Sequence, residues 1–190
     1  MRLMLICLVL IGALVSPALA HPGMAQTNSF AYGIAHPFSG ADHIVTMAAV
    51  GLWSVVAGGR AIWIWPMAFV ASMLAGFAVA SLGMQAPFVE PAIWSSIIVL
   101  GLLVALAVKA PIWLGVATTG LFAFFHGHAH GTEAAAATLI PYAAGLALAT
   151  AGLHAAGIGL GLFVDGSIGK VASRAMGGLA VLGGVALIVA

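Results

Sequence analysis

Six apolar runs follow one another through residues 40–190, and very little charge interrupts them. They cover residues 40–57, 62–82, 92–108, 112–127, 134–163 and 171–190. Each is close to the roughly 20 residues a helix needs to cross the hydrocarbon of a bilayer. The first, third and fourth lie near the lower limit of that length. The fifth is long enough to tilt, to kink near Gly157-Ile158-Gly159 or to protrude. Only 5% of the 190 residues are charged and 64% are hydrophobic, so no polar coat is available to face water. Lipid must be the solvent. The runs predict an all-α integral membrane protein, a six-helix transmembrane bundle over residues 40–190, with no room for a soluble domain. A net charge of +1 without a basic stripe argues against nucleic acid as a partner.

The first twenty residues have the pattern of a secretory signal peptide. Arg2 is a minimal positive start, residues 3–15 are apolar, and Ser16-Pro17-Ala18-Leu19-Ala20 supplies a helix breaker and an Ala-x-Ala cleavage site. The alternative is a retained, short first membrane helix. Cleavage after Ala20 makes His21 the mature N-terminus and leaves residues 21–39 as a periplasmic segment, of which residues 22–35 form a tether. The sole cysteine, Cys7, falls inside the signal, so the mature chain holds no disulfide and no thiolate ligand. With the mature N-terminus outside, Arg60, Lys109, Lys170 and Arg174 all fall on the cytoplasmic side, as the positive-inside tendency requires. Glu90 and Glu133 fall on the other. The chain is thereby expected in the bacterial inner membrane, crossing it several times.

Against this apolar background stand seven histidines, more than all the acidic side chains together. Ionisable groups inside membrane segments are expensive, which makes them functional candidates. His36-Pro37-Phe38-Ser39-Gly40-Ala41-Asp42-His43 lies at the mouth of the first run, and His126-Gly127-His128-Ala129-His130-Gly131-Thr132-Glu133 at the end of the fourth. Two clusters distant in sequence therefore share one depth on one side. If a helix begins at Pro37, His36 and His43 are nearly two turns apart and share a face, which Met47 joins. Asp42 points away by about 100°, either to orient a ligand from behind or simply to favour the helix dipole. His126, His130 and Glu133 form one stripe. His128 faces the other side while the helix persists, unless Gly127 and Gly131 loosen the turn and let all three imidazoles converge. Gly157 and Gly161 have the small-residue spacing of tight helix packing. His21 would add an amine and an imidazole on one residue, and Pro22 excludes a site of successive deprotonated amides. His154 lies deeper, as a transit ligand or as a partner for a buried hydroxyl. Imidazoles grouped with carboxylates suit a borderline divalent cation, Ni²⁺, Co²⁺ or Zn²⁺.

The first of these strings, followed by Met47 and Val50-Gly51, resembles the signature of the HupE/UreJ family of nickel permeases: a His-Pro, a Gly-x-Asp-His, then a Met and a Val-Gly. Phe124-Phe125-His126-Gly127-His128-Ala129-His130-Gly131-Thr132-Glu133 resembles that family's second histidine-rich motif. The resemblance covers the whole chain and shows no clear departure in either motif. It implies secondary uptake of Ni²⁺, or in some relatives Co²⁺, for hydrogenase, urease or cobalamin enzymes.

The leading expectation is thus a metal-ion permease, not an enzyme, with His36, Asp42, His43, His126, His128, His130, Glu133, His21 and Met47 as candidate ligands. The metal is cargo, and no prosthetic group is expected. Residues 161–170 lack the order of a phosphate-binding loop, so no ATPase element is present there. A second reading is an intramembrane zinc hydrolase acting on a lipid amide or ester, with Ser39 nearby but without an evident base. A third is a metal sensor or chaperone. The sequence leaves homo-oligomerisation, coupling ion and inner gate open.

Overall fold

The computed structural model describes residues 29–134, 138–163 and 166–189. The expected signal peptide and His21 lie outside the described residues. Among those described there are seven α-helices, one 3-10 turn and no strand: α1 (Ser29–Ala35), the 3-10 turn His36–Phe38, α2 (Ala41–Ala57), α3 (Ala61–Ser81), α4 (Val89–Ala105), α5 (Ile112–Glu133), α6 (Leu139–Phe163) and α7 (Gly166–Val189). The six apolar runs reappear as α2 to α7, each with its ends moved by a few residues. Three helical stretches are both long and apolar enough to cross a membrane: Ala61–Ser81, Leu139–Phe163 and Gly169–Val189. Ser29–Phe38 with Ala41–Ala57 makes a fourth if that pair, bent by 80°, is one broken span. Large apolar side chains such as Trp63, Met67, Ile140 and Phe163 point outward rather than into the protein. Water would penalise such a surface and lipid would not.

Two local features depart from the expectations. Residues 29–35, read as part of a tether, fold into α1 and dock on α6. The helix expected to start at Pro37 starts at Ala41 instead, because Gly40 is extended (φ −118°) and the proline belongs to the separate 3-10 turn. At the other end of α2 the chain leaves through Gly58 at φ +75°, a conformation that disfavours any side chain.

What packs the helices is the absence of side chains at chosen points. Gly127 and Gly131 of α5 lie against the main chain of Met73 and Phe77, and Gly76 of α3 lies against the Phe124 carbonyl. Gly51 of α2 meets the His154 carbonyl, and Gly157 of α6 meets that of Ala48. Gly33 and Gly145 do the same for α1 and α6, and Gly101 and Gly177 for α4 and α7. In lipid, where burying apolar surface gives little drive, such close backbone approach is a main source of helix association. Between α3 and α6 a ladder of side chains fills the middle: Phe77 on Tyr142 (ring centroids 5.8 Å apart), Met73 on Thr150 and Phe69 on His154. Trp53 and Trp65 stack at 4.2 Å, and their indole N–H groups donate to the carbonyls of Val108 and Ile112, pinning the connector between α4 and α5.

Candidate metal centre

Three elements deliver imidazoles to one place. His36 sits on the 3-10 turn, His43 in the first turn of α2, and His126 and His130 one turn apart on α5. The 80° bend separates the first two onto different elements. They do not share a helix face, as the spacing alone suggested, but both meet His130. Ring centroids are 4.9 Å apart for His36 and His130, 4.6 Å for His43 and His130, and 4.9 Å for His43 and His126. The four rings form an unbroken chain, with His126 and His130 fully buried.

Hydrogen bonds assign the protons. Asp42 Oδ1 lies 2.9 Å from His43 Nδ1, so the carboxylate accepts that N–H and leaves His43 Nε2 as a bare lone pair. Asp42 thus lies behind the ligand. The Ser96 hydroxyl donates its one proton to the Ile93 carbonyl at 2.6 Å. It must therefore accept from His126 Nε2 at 3.0 Å, which bares His126 Nδ1. Thr46 completes this network as a donor to Ser96 at 3.2 Å. Among the described residues, His43 Nε2, His126 Nδ1 and both nitrogens of His130 are buried without a hydrogen-bond partner. A buried polar atom left unpaired costs about 1–3 kcal/mol. Four such atoms from three rings in mutual contact are not what folding alone would select.

Glu133 adds the charge. Its Oε2 accepts from His36 Nε2 at 2.8 Å and lies 3.9 Å from His130 Nδ1. One donor atom each from His36, His130 and Glu133 falls within 4.8 Å of the other two. Nitrogen and oxygen ligands sit roughly 2.0–2.2 Å from a borderline cation, so donors around one ion are at most ~4.4 Å apart. A small side-chain movement closes the difference. Tyr32 and Tyr142 wall this side, with ring centroids 5.5 and 5.8 Å from His36.

His128 is the candidate that the fold does not bring to the group. Gly127 and Gly131 do not loosen the helix; they press it against α3, and α5 stays helical through Glu133. His128 therefore keeps to the opposite side, where its Nε2 donates to the Met84 carbonyl at 2.9 Å. Met47 is fully buried one turn beyond His43. Ser39 donates its hydroxyl to the His36 carbonyl at 2.6 Å. The histidine pattern alone did not single out Ser96, Thr46, Tyr142 or Phe69. A Ser95-Ser96 pair within an apolar run was the one available signal for Ser96.

No solved structure matches this chain. A curated relative, Protein HupE of Rhizobium leguminosarum bv. viciae, is 44% identical over 178 residues, covering 93% of each chain. The sequence model of the family described as HupE / UreJ protein matches residues 8–187. With its two histidine motifs gathered at one end of an all-helical fold and nearly its whole length matched, this chain belongs to the HupE/UreJ family.

Proposed function

We propose that the chain is a secondary transporter that takes up a divalent transition-metal ion, Ni²⁺ before Co²⁺, across the bacterial inner membrane. The imidazole group is its capture site and faces the periplasm. One observation carries this reading: His130, buried with two bare nitrogens, stands between His36 and Glu133 on one side and His43 and His126 on the other. Family membership supports it, since HupE/UreJ proteins are generally nickel or cobalt transporters. Charge placement supports it as well. Lys109, Lys170 and Arg174 line one cavity at the opposite end of α5 from His130, the pattern of a cytoplasmic face. In this reading α2 to α7 are the six spans, residues 1–20 are removed, and His21 and Met47 are further donors to the ion on its way in. Asp42 holds His43 in the ligating tautomer, and Glu133 offsets the charge of the cation. The metal is the substrate. Water or a second set of ligands displaces the capture donors to release it inward.

Purified protein in liposomes loaded with a metal-sensitive dye is expected to accumulate Ni²⁺ from the medium. Uptake no faster than in protein-free vesicles would overturn the assignment. Protons compete for the same nitrogens as the metal. A free imidazole changes charge near pH 6.5, and only its neutral form ligates. With equal pH on both sides of the vesicle, initial uptake is expected to fall as the pH is lowered from 7 to 5. A steady rise over that interval would contradict capture by neutral imidazole.

A further inference from the structure

One imidazole remains unused. His154 lies in the middle of α6, 1% exposed, and among the described residues neither ring nitrogen has a hydrogen-bond partner. Folding gives no reason for it. The hydroxyl one turn away, Thr150, donates to the Met73 thioether at 3.5 Å, and the close approach of Gly51 uses the His154 carbonyl, not the ring. Its position, however, is ordered with respect to the capture group. The Phe69 ring packs edge-on to His154 at 4.9 Å between centroids and contacts His126 at 6.0 Å. Phe69 thus stands between the last imidazole of the capture chain and His154. On the other side of His154, two turns further along α6, Gly161 lines the cavity of about 430 Å³ that also contains Lys109 and Arg174. Capture group, Phe69, His154 and basic cavity follow one another from end to end of the protein.

We propose that His154 is a second ligand for the cation, an inner station reached past the Phe69 ring. The inference rests on the transport reading above and extends it inward. One imidazole, with a thioether and a hydroxyl beside it, suits a borderline divalent ion but holds it more weakly than the capture group does. Conduction needs such a gradient, since a site that binds too well does not let its ion leave. Phe69 gives the two stations their separation, because an ion cannot touch both while the ring lies between them.

The test compares wild type with His154→Leu, using Ni²⁺ as the probe in two measurements. In detergent, tight Ni²⁺ binding to His154→Leu is expected to stay within twofold of wild type. In proteoliposomes its maximal uptake rate is expected to fall at least tenfold, with the half-saturating Ni²⁺ concentration unchanged. A folded His154→Leu protein that transports at the wild-type rate overturns the inner station alone. Loss of tight binding together with transport, at unchanged melting temperature, overturns it too, by placing His154 in the capture group. Should the leucine variant not purify, His154→Gln carries the same expectations. A wild-type protein that binds no Ni²⁺ would instead defeat the capture site, and this inference with it.

Discussion

His130→Ala is expected to lower Ni²⁺ affinity by at least about 100-fold and to abolish uptake in proteoliposomes. Loss of a group that only orients a ligand costs a metal site 10–100-fold, and His130 is the ring that touches both halves of the group. Removing it leaves His36 with Glu133 on one side and His43 with His126 on the other, neither pair sufficient to strip an ion of its water. His128→Ala is the matched control, only two residues away. It removes a hydrogen bond to the Met84 carbonyl and costs some stability, but uptake is expected to persist near the wild-type rate. Equilibrium Ni²⁺ binding and dye-detected uptake, measured on both variants, check the contrast. Equal losses in the two would place His128 in the site and contradict the geometry.

That contrast marks where sequence reasoning was strong and where it stopped. Helical period alone put His126, His130 and Glu133 on one stripe and His128 off it, and the helix keeps that arrangement to its end. Asp42 was placed behind His43 by the same arithmetic, and the 2.9 Å contact agrees. The six apolar runs announced six helices because an uncharged stretch of that length leaves the backbone no other way to satisfy its polar groups in lipid. What stayed hidden depends on which helices are neighbours. Ser96 matters to His126 only because α4 passes beside α5, and Phe69 lies between two histidines only because α3 runs against α6. Neither follows from a one-dimensional pattern. The fold of residues 29–35 was missed for a different reason. Seven residues with two glycine contacts to a distant helix carry no periodic signal of their own.

Gly127→Val is expected to be the most damaging single change to folding. A Cβ at this position would overlap the main chain of Met73, at the carbonyl oxygen, the carbonyl carbon and the Cα, and backbone cannot turn aside as a flexible side chain can. Overpacking of a buried contact costs about 1–3 kcal/mol, and more where only backbone can yield. A loss of about 3 kcal/mol or more is expected here, against marginal stabilities of 5–15 kcal/mol. It should appear as a drop of many degrees in melting temperature, or as protein that does not survive detergent extraction. Gly152→Ala on the outward face of α6 is the control. Nothing lies within 4 Å of the added Cβ, so stability should hold or rise by about 0.5–1 kcal/mol. A Gly127→Val protein that melts with wild type would show that α3 and α5 are less tightly joined than their glycines indicate.

The glycine contacts also decide where the molecule can flex. They bind α3 to α5 as one unit, and α1 and α2 to α6 as another, through main chain that has no rotamers to adjust. The first unit carries His126, His130 and Glu133; the second, with its amino-terminal turn, carries His36, Asp42 and His43. The cation's donors are therefore split across the seam between two stiff bodies. A small rocking of one body on the other separates all of them in a single step, so that loosening the grip on the ion needs no local melting of any helix.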